Sequence, residues 1–272
     1  MSLPASGLLC AWAASWLHGE SAADEVLRAS LGGHLRQLVQ PSAPQSAGAF
    51  TAEDLLPGTE EAHTRFATVT PTSMVDVLSA WRRSGASVRC VFPVPGDVRG
   101  LPGPAAFRDA ALRAGEAVWC ADLGLVPELE ETSSSSGATL VWRSYPLASA
   151  PIDPVPIADA AYALTEAIRE TASTLAAAQV ASRSARTDAA LRSWRGGQTE
   201  LDLPPSFPPR AVSLVAQAER LHQLLQIVAL DPVGGGVDTP AIQLREQALQ
   251  PLVEAVRRAR VAGYNALTER DS

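Results

Sequence analysis

Four prolines between residues 146 and 156 (Pro146, Pro151, Pro154, Pro156) divide this chain into two parts that cannot share one periodicity. Proline fixes φ and has no N–H, so such a run stiffens the backbone and stops helices and ladders alike. Before it, short β-branched and aromatic runs alternate with amphipathic helical stretches. After it, every apolar pattern is helical. The expected organisation is an α/β unit over 1–146, a Pro-rich linker over 147–156 and a helical unit over 157–272. At 272 residues the chain is long enough to bury a sizeable core in each part.

The N-terminal pattern opens with a helix over 4–18, where Leu8, Leu9, Trp12 and Trp16 line one face. Ser21-Ala-Ala-Asp24 has the form of a capping box and starts a second helix, stopped by Gly32-Gly33. Residues 40–62, rich in Pro, Ser and Ala, read as a mobile loop. A third helix spans 72–84, capped by Ser73 and Asp76, with Val77, Leu78 and Trp81 on its inner face. Apolar runs at 87–92, 117–121 and 138–145 read as strands. The helix between the first two has Pro104 inside its start and Gly115 past its end. Strand, helix, strand of this length predicts a right-handed parallel crossover.

Beyond the linker, Ile157, Ala161, Leu164, Ile168, Leu175 and Ala178 repeat at helical spacings. Ala211, Leu214, Ala218, Leu221, Leu225 and Val228 form a 3-4-3-4-3 seam. A third helix has Thr239 as N-cap, Pro240 at its first position, and Leu249, Leu252, Val256 and Ala259 inside; Pro251 predicts a kink or restart. The fold class is therefore α+β. It combines a small sheet of three to five strands, at least partly parallel, with a C-terminal antiparallel three-helix bundle.

Composition removes whole chemistries. All 22 basic residues are arginine, because the chain has no lysine. This excludes a Walker-A loop, a Schiff-base lysine and a pyridoxal-phosphate anchor. It also points to a high-GC bacterial coding bias. A net charge of −7 argues against a broad basic surface for nucleic acid, and Arg82-Arg83 and Arg257-Arg258 read as solvated doublets. Cys10, Cys90 and Cys120 form no C-x-x-C and sit among apolar neighbours, as reduced thiols of a cytoplasmic protein do. "LLCAWAASWL" (8–17) lacks a basic leader and is too short to span a bilayer, so neither a signal peptide nor a membrane association is expected.

No catalytic motif emerges. His18, His34, His63 and His222 have no zinc spacing, and G-x-S-x-G is absent. Glu128 and Glu130 of "PELEET" (127–132) would share a side if extended, but beside a serine run they read as a solvated loop. No cofactor, no metal and no catalytic residue is assigned.

The loop "PVPGDVRGLPGP" (93–104) is the one ligand candidate. It joins a strand to a helix N-terminus, where free N–H groups favour anions. The amides around Gly100 and Gly103 would cradle a carboxylate or phosphate, and Arg99 would clamp it. Arg143 is a second cation if its strand lies near. Asp97 opposes this, and G-x-G-x-x-G is absent, so a rigid proline–glycine bend is the favoured reading. Trp194, on a polar helical stretch, is a candidate partner contact, and the Tyr264 hydroxyl of "GYNAL" would anchor the chain end against the α/β unit. The leading functional reading is a non-catalytic module that binds a protein partner or itself, as a dimer. The alternative is an α/β enzyme or sensor for a small anionic metabolite at loop 93–104.

Overall fold

The computed structural model describes residues 3–31, 37–42, 73–97, 100–131, 138–147, 154–177, 192, 201–229 and 239–268. Arg99, Trp194, His34, His63, the serine run and nearly all of the 40–62 loop lie outside these. The chain forms two compact units, Ser2–Asp153 and Pro154–Ser272.

The first unit is built on helices α1 (Ala5–Leu17), α2 (Ala23–Ser30), α3 (Met74–Ser84) and α4 (Ala105–Ala114), with strands β1 (Gln37–Pro41), β2 (Arg89–Val91), β3 (Ala117–Cys120), β4 (Leu123–Glu131) and β5 (Ala138–Pro146). Local rules place α3 as expected. Ser73 Oγ accepts from Asp76 N–H at 3.2 Å, Asp76 Oδ2 accepts from Ser73 N–H at 3.0 Å, and Gly85 closes the helix at φ 62°. The α2 cap lies one residue later than the sequence suggests. Glu25 Oε2 accepts from Ala22 N–H at 3.0 Å, while Ser21 Oγ pairs with Ser15 Oγ.

The five strands order as β1-β5-β4-β3-β2. β1 runs parallel to β5, with Val39 opposite Trp142, and every other pair is antiparallel. This corrects the predicted crossover. β2 and β3 are antiparallel neighbours, with Val91 opposite Ala117. β3 therefore starts beside the end at which β2 stops. A tight turn at Val94–Asp97 lies between β2 and α4.

β4 is also a correction, since its second half was expected to be a loop. It pairs with β5 from Leu123↔Pro146 to Glu131↔Ala138. It follows β3 after a two-residue turn in which Ala121 takes φ 51°. Gly124 is needed there: a Cβ would sit 2.6 Å from Phe107 Cε2 and 2.9 Å from Leu147 Cδ1. On that face Val91, Trp119, Val126 and Tyr145 pack with Phe107, Ala110 and Ala111 of α4, and Phe107 meets Tyr145 edge-on at 5.6 Å. α1 is buried from Ala5 to Trp16, not on one stripe. Arg82, read as solvated, lies 3.8 Å over the Trp16 ring and donates to its carbonyl at 3.2 Å.

The second unit holds α5 (Ile157–Ala177), α6 (Pro209–Ala229) and α7 (Thr239–Tyr264). α7 runs through Pro251 without restarting. It packs along both α5 and α6, which touch one another at few positions. The core is alanine-rich: Ala160, Leu164 and Ala167 meet Leu214, Ala218, Leu252, Val256 and Ala259. Gly263 permits the approach of α6, because a Cβ there would lie 2.5 Å from Val215 Cγ2. Tyr264 is fully buried.

Candidate functional site

Loop 93–104 is shaped by its own turn chemistry. Pro95 and Gly96 occupy the central positions of a type II turn, where proline presets φ and the next residue needs positive φ. Gly96 has φ 86°, and Val94 and Asp97 exchange N–H···O bonds of 3.3 and 2.9 Å. Pro93 and Pro102 are buried. Gly100, at φ 73°, lies against Val91, with 3.7 Å from its Cβ position to Val91 Cγ1. A Cβ at Gly103 would lie 3.6 Å from an Arg108 terminal nitrogen. Asp97 therefore closes the turn through its backbone.

Arg143 is not beside this loop. Between β5 and β2 lie β4 and β3, about 14 Å at the usual strand spacing. Its Nε donates to Glu128 Oε2 at 2.9 Å, and its terminal nitrogens reach Glu130 Oε1 and Gln40 Oε1. The register explains this, since Arg143 is opposite Val126 on β4 and Gln40 on β1. The two glutamates thus share a face, as extension requires, and both hold Arg143.

β3 begins at Ala117, so β4 runs on past it with an open side from Pro127 onward. Proline is tolerated on such an edge because no ladder N–H is needed. A cavity of about 500 Å³ opens here, with Leu3, Ala110, Ala114, Pro127 and Leu140 supplying apolar lining and Arg113, Glu116 and Glu128 the charges. Both carboxylates are engaged: Glu116 Oε2 accepts from Ser6 N–H at 2.8 Å, and Glu128 holds Arg143. Burial, and then Glu128, raises the pKa of nearby Tyr145, which keeps its phenol protonated.

The thiols are structural. Cys10, Cys90 and Cys120 are all buried, and none of them forms a disulfide. Burial pushes Cys120 up to about 11, and its Sγ donates to Ala86 O at 3.2 Å. On α6, burial and then Arg260 hold His222 down to about 4, below its ordinary value of 6.5. The unfolded chain therefore takes up this proton first. The stability contributed is complete above about pH 6.5 and falls as pH drops toward 4. The urea midpoint should fall more steeply over that window in the wild type than in His222→Gln. Equal slopes would exclude His222 as the source.

One residue escaped sequence reading. Arg89 lies inside the run Val88–Phe92 and is only 7% exposed, opposite Trp119. Its Nε and the Trp119 Nε1 are buried donors without an acceptor. A charged residue at a strand position whose neighbours are all apolar is the signal that marks it.

Two family models together span most of the chain: Rv1486c-like protein, N-terminal domain, over residues 6–160, and Rv1486c-like protein, C-terminal domain, over 158–261. The chain belongs to the Rv1486c-like family. As a member of this family it is 32% identical over 289 aligned positions to the uncharacterized protein MT1533 of Mycobacterium tuberculosis (strain CDC 1551 / Oshkosh). It is 31% identical over 285 positions to the uncharacterized protein Rv1486c of M. tuberculosis (strain H37Rv), and 30% over 290 to the uncharacterized protein ML1804 of Mycobacterium leprae. Each alignment covers 95% of both chains. These mycobacterial relatives agree with the high-GC origin read from an arginine-only basic set. No solved structure matches this Rv1486c-like chain. Among its described residues, no helix is long and apolar enough to cross a membrane.

Proposed function

We propose that this chain is a non-catalytic, cytoplasmic interaction module whose helical unit associates with a second copy of itself. The observation that carries this reading is the arrangement around α7. Because α5 and α6 each pack on α7 and barely on each other, Ile157, Ala161 and Ile168 of α5 and Leu221 and Leu225 of α6 stay only partly buried. Helical units bury such rows by adding a further helix. Tyr162 on α5 and Val253 on α7 add apolar surface, at 70% and 41% exposure. Three buried cysteines without a disulfide suit a reducing compartment.

Light scattering over a wide concentration range tests this directly. A dimer should form with rising concentration, and Ile168→Glu or Leu225→Glu should hold the protein monomeric with its helical circular dichroism intact. A strict monomer at the highest concentration would end the proposal.

A further inference from the structure

We propose that Arg89 and Trp119 form a binding site for a small oxyanion, a carboxylate or phosphate group, on the α4 face of the sheet beside the returning loop. The reasoning starts from an energetic imbalance. A guanidinium keeps its proton at any accessible pH, so a buried arginine cannot shed its charge as a buried lysine or histidine does. It needs a counter-charge or hydrogen-bond acceptors. Arg89 is 93% buried, its Nε has no acceptor, and no carboxylate of the described residues pairs with it.

Trp119, on the paired strand, carries a second donor without an acceptor. It stands directly opposite Arg89 in the β2–β3 ladder, so the two side chains leave the sheet on one face. Its indole N–H is likewise buried and without an acceptor, in a residue 6% exposed. Buried donors rarely lack partners, and two from directly opposed residues make one unmet demand for an acceptor. The guanidinium fork matches the paired oxygens of a carboxylate or phosphate, with the indole N–H as a further donor.

The surroundings suit a small charged group. Val91, the next residue on the same face of β2, contacts the loop at Gly100, so the returning segment passes beside the site. Phe107 and Ala111 of α4 and Val126 of β4 give apolar walls, which strengthen an ionic hydrogen bond by excluding water. The anion is thus held by the strands, with the loop as a wall, in an arrangement independent of self-association.

The six tryptophans give a specific readout. Proton NMR of the full chain would follow the indole N–H signals while inorganic phosphate or succinate is added against chloride at matched ionic strength. One or both anions should move the signal that Trp119→Phe removes. The same anion should raise the thermal midpoint by about 3–6 °C at tenfold above Kd. Arg89→Met should abolish both responses. If that variant fails to fold, the wild-type indole shift decides alone. An unmoved Trp119 signal with no gain over chloride would overturn the site, as would a response that persists in Arg89→Met.

Discussion

Glu219→Ala should destabilise the helical unit by about 3–5 kcal/mol, the usual cost of stripping one partner from a buried ion pair. Arg260 Nε donates to Glu219 Oε1 at 2.9 Å, and the two side chains are 9% and 4% exposed. Removing the carboxylate leaves a permanent charge between α6 and α7, near the half-buried His222 whose protonation Arg260 already opposes. Removing both charges is a different case. Glu219→Leu with Arg260→Met also ends the desolvation penalty of each ion, so the double variant should recover most of the loss. Urea denaturation of the single and double variants measures this. A single-variant loss below about 1 kcal/mol, or a double variant no better than the single, would show that the pair does not control stability.

Trp142→Ala should cost the α/β unit a comparable amount, about 3–5 kcal/mol, and lower its thermal midpoint by about 10 °C or more. The ring is wholly buried on β5, and its Nε1 donates to the carbonyl of Ser30, the last residue of α2, at 3.0 Å. Two contributions are combined there, one from packing and one from the hydrogen bond. Trp142→Phe separates them, keeping much of the packing while leaving the Ser30 carbonyl unmet, and should cost about 1–3 kcal/mol. If phenylalanine costs as much as alanine, the hydrogen bond dominates. If alanine costs under about 1 kcal/mol, the ring is not part of the core that joins α2 to the sheet.

The elements legible in the sequence are those whose signals are local. The Ser73–Asp76 cap, the Gly85 and Gly115 stops and the strands at 89–91, 117–120 and 138–146 depend on neighbours within a few residues. β4 was hidden because Ala121-Asp122 is not an Asn-Gly or Asp-Gly turn, and because Gly124, Pro127, Glu128 and Glu130 are poor strand formers. Each is explained only by a distant partner: Phe107 for Gly124, the end of β3 for Pro127, Arg143 for the two glutamates. The crossover differs for a related reason, since the antiparallel pairing of β2 with β3 is a long-range contact that helix length does not encode. Of the candidate ligand residues, Asp97, Gly100 and Gly103 share the loop, whereas Arg143 is three strands away. Arg89 was masked by the apolar residues around it, and its isolation exists only once β3 is placed beside β2.

The position of α7 has a consequence for how the protein is made. α5 and α6 find their common partner in the last helix of the described chain, and few contacts link them directly. Synthesis is vectorial, at about 5–20 residues per second, so both helices leave the ribosome before the surface that joins them exists. The first unit can close its sheet once β5 emerges, because all five strands precede residue 147. The helical unit must wait for residues 239–264 before its alanine-lined core can close.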